Sequence, residues 1–166
     1  NYDALAHHIH HRPAHALRVS QNTKPEMYFF PAQMNNYTGD MPVTFFGLNP
    51  EVTREDVKAR LEAFDRGDNG ILALSRAYKL ELDTGWDVPP GLLHAPGSLC
   101  TYEPQFASDI SCVYQSVLHR DRTVDPSSLW MNCPPAEIGN YDYLLELIDW
   151  PLNTDPDFHA KHFMRP

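Results

Sequence analysis

The stretch "LAHHIHHRPAH", residues 5–15, carries five of the nine histidines in this 166-residue chain. A neutral imidazole is a proton carrier and the commonest nitrogen donor to a transition metal. On an extended strand, side chains alternate between two faces, so His8 and His10 project to one side and His7, Ile9 and His11 to the other. Two imidazoles at that spacing reach one cation at about 2.0–2.1 Å. A helix would pair His7 with His11 instead, and Pro13 opposes its continuation. Two further donors are at hand. Glu26, in "TKPEMYFF", opens an apolar run where a lone carboxylate is costly to bury unless paired or metal-bound. His94 follows the turn "VPPGLLHAPGS", whose rigid backbone aims it inward. Three imidazoles and a carboxylate suit one divalent transition metal with open positions for water or substrate. Each residue alone has a plainer reading: a solvated strand, an ion-pair partner for Lys24, a core histidine on a backbone carbonyl. Their joint pattern is what favours a metal.

Such donors need a scaffold. Fifteen prolines and eight glycines cut the chain into short segments rich in Val, Phe, Tyr, Leu and Thr, which predicts a mainly β protein. Strands are expected at 4–10, 26–33, 42–48, 71–82, 86–88, 98–103 and 109–117, with Pro31 and Pro42 marking edges or ends. One inserted helix is expected where Thr53 and Asp56 stand at capping-box spacing. There Val57, Leu61 and Phe64 repeat at i, i+4, i+7, and Gly67 is the stop. A C-terminal helix is expected in "NYDYLLELIDW", capped by Asn140 and burying Leu144, Leu145, Leu147 and Ile148. The tail after it shows no period. The β body spans 1–119, with a helical extension and tail over 120–166.

Charge and cysteine usage narrow the partners. Thirteen basic against 22 acidic residues leave a net charge of −9, which repels phosphate backbones and anionic lipid, so nucleic acid and membrane are not expected. No apolar run approaches the roughly 18 residues that a bilayer span needs. Three cysteines without C-x-x-C spacing point to a reducing, cytoplasmic setting. Cys100 and Cys112 fall on expected strands and read as buried, Cys133 as exposed.

The turn "PPGLLH" resembles the second motif of the cupin superfamily, P-x-G-x-x-H. Glu26 follows His10 by sixteen positions, too many for the usual first motif, and this spacing is similar to the mannose-6-phosphate isomerase branch, where Q-x-H and K-x-E segments are separated by a loop. Here "HIH" at 8–10 and "KPE" at 24–26 occupy those places, with His8 where the isomerases carry an amide. The resemblance continues through "TFFG", "RGDNGI", "AYKLELDTGWDVPPGLLHAPG" and "YEPQFASD", covering roughly residues 5–117. It implies a double-stranded β-helix, or jelly-roll, barrel. A cupin barrel needs strands before the H-x-H strand, which a longer polypeptide, a neighbouring subunit or the C-terminal segment would have to supply.

Carried over residue by residue, the resemblance makes His8, His10, Glu26 and His94 the ligands of one divalent metal, zinc first, with manganese or iron as alternatives. His7, His11 and His15 are left as bystanders. Lys24, Glu103 and Asp109 become the proton-transfer candidates, and Gln105 a substrate contact. Trp86, beside the turn, is a candidate sugar floor, packing being its commoner role. The implied reaction is aldose–ketose isomerisation of a sugar, with a homodimer as a candidate assembly. The branch places an arginine shortly after its Ser-Asp pair, whereas "SDISCVY" has Ser111 and Cys112 where Tyr-Arg is expected. A phosphorylated sugar needs such a cation, so an unphosphorylated sugar or polyol is preferred. The same donor set also fits an iron dioxygenase or a non-catalytic sugar-binding cupin.

Overall fold

Runs of alternating apolar residues broken by proline and glycine become short strands in the computed structural model, which describes residues 5–35 and 43–166. The expected strand ends at residues 4 and 42, Pro42 included, lie outside the described residues. In order come β1 (His8–Ile9), α1 (Pro13–Leu17), β2 (Glu26–Phe29), β3 (Val43–Leu48), α2 (Arg54–Leu61), β4 (Ser75–Lys79) and β5 (Gly85–Val88). Then follow β6 (Leu93–Ala95), β7 (Cys112–Val113), β8 (Val117–Leu118), β9 (Arg122–Thr123), α3 (Tyr141–Leu147), α4 (Trp150–Asn153), α5 (Phe158–His162) and β10 (Phe163–Met164). A five-stranded sheet runs β4-β3-β6-β1-β7, a three-stranded sheet β10-β5-β2, and β8 pairs with β9. All of these pairings are antiparallel.

Strand alternation sorts the interior into two apolar clusters. Ile9, Leu93 and Cys112 pack beneath α2 and α3 with Val57, Leu61, Leu144 and Leu147. Phe46 meets Tyr28, Trp86 and Val88 of the smaller sheet, with Leu92 and Phe158. Phe46 and Leu48 are two residues apart yet join different clusters. The cause is a register shift between Phe45 and Leu48. Gly47 lies inside it at φ +67°, and a Cβ there would sit 2.6 Å from the Asn153 carbonyl oxygen. Only glycine satisfies both conditions without strain.

The inserted helix starts as its sequence specifies. Asp56 N–H donates to Thr53 Oγ1 at 3.2 Å, and Thr53 N–H donates back to the Asp56 carboxylate at 2.9 Å. Thr53→Ala is expected to cost about 1 kcal/mol in urea unfolding at neutral pH. Bonds from the Thr53 hydroxyl and then its backbone hold the Asp56 carboxyl below its usual value. The stabilisation is therefore complete above about pH 3.8 and fades as pH falls through the lowered value. The gap between the two proteins narrows in acid, and a gap unchanged down to pH 2 would count against the box.

Several expectations are corrected. Residues 71–74 form a 3-10 turn, entered through Gly70 at φ +65°, and only Ser75–Lys79 is strand. Within 98–103 the pairing reduces to one bridge, Tyr102 to Phe29. The 109–117 run splits because Tyr114 and Gln115 both donate their N–H to the His7 carbonyl, which interrupts the ladder. Asn140 sits at the start of α3 but makes no side-chain cap; its amide donates to Glu137 instead. The tail is ordered into α5 and β10, where Phe163 pairs with Trp86. Cys100 is exposed and Cys133 buried, the reverse of expectation. Trp86 is 1% exposed, ringed by Phe46, Tyr78, Phe158 and Phe163. It offers no open face to a sugar, because β10 and α5 cover it. Among the described residues, no helix is long and apolar enough to cross a membrane.

Candidate metal centre

Three antiparallel strands bring the histidines together. β1 lies between β6 and β7, with His8 opposite His94 and opposite Val113. Residues in register share a face, so His8 and His94 point together while Ile9 and Leu93 point into the other cluster. His10, one alternation beyond His8, returns to the same side. The ring centroids lie 4.1 Å apart for His8 and His94, 5.1 Å for His8 and His10, and 5.2 Å for His10 and His94. One nitrogen from each lies within 4.8 Å of the others.

Backbone carbonyls fix which nitrogen that is. His8 Nδ1 is 2.7 Å from the Ala6 carbonyl, His10 Nδ1 2.7 Å from that of Ile110, and His94 Nδ1 2.9 Å from that of Leu92. A carbonyl only accepts, so each Nδ1 carries the proton and each Nε2 presents a lone pair. Nε2 of His10 and of His94 is buried with no hydrogen-bond partner. Burial keeps the His8 and His94 rings neutral by pushing their pKa values down.

Glu26 completes the set from β2, where alternation buries Glu26 and Tyr28 and leaves Met27 and Phe29 outside. Its Oε1 lies 3.0 Å from His10 Nε2, its Oε2 3.5 Å from His94 Nε2, and Lys24 Nζ is 2.9 Å from Oε1. A carboxylate oxygen thus faces an imidazole lone pair at 3.0 Å in a dry interior, an arrangement that repels unless a cation lies between. The donor chemistry, N₃O with every Nδ1 anchored on a carbonyl, fits a divalent transition metal and its supporting shell.

Around these donors stand the proton-transfer candidates. Glu103 is half-buried, and burial followed by the neighbouring Glu26 charge pushes it up to about 7. Gln105 is exposed, bridged by its backbone to Glu26, in a cleft with Pro25, Met27, Pro104 and Phe106. Asp109 is exposed, and among the described residues no contact joins it to Glu26, Lys24 or Glu103. Its loop acts through the backbone instead, since the next carbonyl, of Ile110, holds His10. Trp86 lies apart in the aromatic cluster.

Sequence reading missed Tyr28. It is 1% exposed, and its hydroxyl donates to Glu26 Oε2 at 3.4 Å. Burial, then the Glu26 and Glu103 charges, hold its pKa far above normal, so it remains a donor. The i, i+2 spacing from Glu26 was the available signal. The supposed bystanders are not solvated either. His7 is fully buried with Nε2 3.3 Å from Ser75 Oγ, and His11 is fully buried with Nε2 3.1 Å from Cys112 Sγ. His15 stands edge-on to Tyr143.

No family model matches the chain, and no curated protein does. Solved structures do. Mannose 6-phosphate isomerase from Bacillus subtilis aligns over 80% of this chain and 41% of its own, at TM-score 0.56 and 14% identity. A provisionally assigned mannosephosphate isomerase from Archaeoglobus fulgidus aligns over 76% of this chain and 41% of its own, at TM-score 0.55 and 12% identity. The chain therefore spans about two fifths of the length of either structure. At such identities the likeness is one of fold. In fold, this chain is similar to these two isomerase structures.

Proposed function

We propose that the chain is a metal-dependent sugar isomerase with a cupin barrel, interconverting an aldose and a ketose that carry no phosphate. The observation that carries this reading is the convergence of three carbonyl-anchored imidazoles, two of which, His10 and His94, face the Glu26 carboxylate. His8, His10, Glu26 and His94 would hold the metal, zinc before manganese or iron, which when bound polarises a carbonyl oxygen.

The chain's own residues account for the rest. Isomerisation moves a proton between adjacent carbons, which needs a base whose pKa lies near the working pH. Glu103, pushed up to about 7, suits that role. Lys24 Nζ, beside Glu26, donates to a substrate oxygen, Tyr28 holds the Glu26 carboxylate from its far side, and Gln105 meets the outer hydroxyls. Of the cations that could meet a phosphate, only Lys24 among the described residues faces the site, and three arginines are engaged elsewhere. Arg12 donates to the Glu146 carbonyl, Arg18 pairs with Glu137, and Arg76 donates to the carbonyls of Asn153 and Asp155. With a net charge of −9, this favours a neutral substrate.

Protein loaded with zinc or manganese is assayed on free aldoses and on mannose 6-phosphate. Turnover is expected on a free sugar, falling about 10²- to 10⁴-fold in Glu103→Gln with metal content unchanged. Turnover confined to the phosphorylated sugar would overturn the substrate class. Oxygen consumption by the iron form, without isomerisation, would overturn the reaction.

A further inference from the structure

We infer a second metal centre in this chain, formed by His11, Cys112 and Cys133, that takes a thiophilic closed-shell cation, zinc(II) in the first instance. It lies across β1 from the first centre. Cys112 is the register partner of Ile9 and shares its face, opposite to that of His8 and His10, and His11 follows by the same alternation. One donor atom from each of the three lies within 4.8 Å of the others, and all three residues are buried.

The distances suit a metal better than a disulfide. The two Sγ atoms are 3.6 Å apart and His11 Nε2 is 3.1 Å from Cys112 Sγ. A tetrahedral ion with bonds of about 2.3 Å to each sulfur sets them about 3.8 Å apart. A disulfide needs about 2.05 Å, a far larger movement. The pair is also preorganised. Ser111 N–H donates to Asn132 Oδ1 at 3.0 Å, fastening the loop that carries Cys133 to the segment that carries Cys112. The Cys112 thiol donates to the Met131 carbonyl at 2.9 Å, which ties it to the same loop.

The donor chemistry fits. His11 is 0% exposed, its Nε2 faces Cys112 Sγ, and two thiolates and an imidazole are a donor set suited to zinc. On binding, each thiol gives up its proton to solvent and no electron moves.

The test uses the whole chain, stripped of metal, kept reduced under argon, and titrated with cobalt(II) as a spectroscopic stand-in for zinc. The expected result is a thiolate-to-cobalt charge-transfer band that zinc displaces. The band is lost in Cys133→Ser and in Cys112→Ser but kept in His94→Ala, which disables only the first centre. The two centres therefore fail independently. Circular dichroism of the metal-free variants checks folding, and Cys133→Ser, the milder change at 9% exposure, decides if Cys112→Ser does not fold. A wild-type protein without the band, or a band that survives in folded Cys133→Ser, would overturn the assignment.

Discussion

Replacing His94 with alanine is expected to lower metal affinity at the centre of His8, His10 and Glu26 by more than about 100-fold. Changes in the partners that merely orient a ligand cost about 10- to 100-fold, and here a ligand itself is removed. The loss is compounded locally. His94 is 0% exposed, and its ring lies tilted against those of His8 and His10, with centroids 4.1 Å and 5.2 Å away, so the vacated space loosens both remaining imidazoles. His15→Ala is the control, because His15 sits on α1 against Tyr143. Elemental analysis of the two variants prepared alongside wild type decides the matter. Retention of metal in His94→Ala, or equal loss in both, would mean that the convergence of these strands is not what holds the ion.

The second large effect lies outside the centre. Asn153→Ala is expected to destabilise the protein by about 3 kcal/mol, from an orphaned donor together with a small void. That corresponds to a fall in Tm of about 6–12 °C for a chain of this size. Asn153 is 0% exposed. Its Oδ1 accepts from the Leu93 N–H at 2.9 Å, and its Nδ2 donates to the carbonyls of Gly91 and Asp149, both at 2.7 Å. Those carbonyls keep a backbone partner each, Asp149 N–H and Asn153 N–H, so the unmet group in the variant is the Leu93 N–H. That amide belongs to the residue before His94. The variant should therefore also bind zinc more weakly, by about the 10- to 100-fold of a lost supporting contact. Thermal unfolding with and without zinc reads both effects. A Tm within 2 °C of wild type would show that α4 does not clamp the turn.

The centre was more legible in the sequence than the elements around it. Alternation on one short strand suffices to place His8 and His10 together, and the turn residues Pro90 and Gly91 identify His94 as inward-facing. Those are local signals. The long candidates failed where the deciding interaction was distant. Residues 71–82 have the composition of a strand, yet Gly70 and the pairing with β3 start it only at Ser75. β10 is two residues long and has no periodicity to read; it exists because β5 offers it an edge. Trp86 looked available because it stands beside the turn, and it is covered by residues about seventy positions later. Cys112 and Cys133 are too far apart in sequence for any spacing rule, and only the Ser111 bond to Asn132 shows that their backbones belong together.

The position of β1 sets an order of assembly. A strand of two residues cannot hold itself, and this one is inserted between β6 and β7, with His8 facing residues 94 and 113 at once. Closing loops of that size is an entropic cost met before any contact rewards it. Pairings of such sequence separation are the slow steps of folding. The β3–β4 and β8–β9 pairings join nearer segments and can form while residues 5–15 are still searching. His8 and His10 would then join His94 last, and a metal present during refolding would accelerate nothing until β1 is in place, acting instead as a latch that slows its departure.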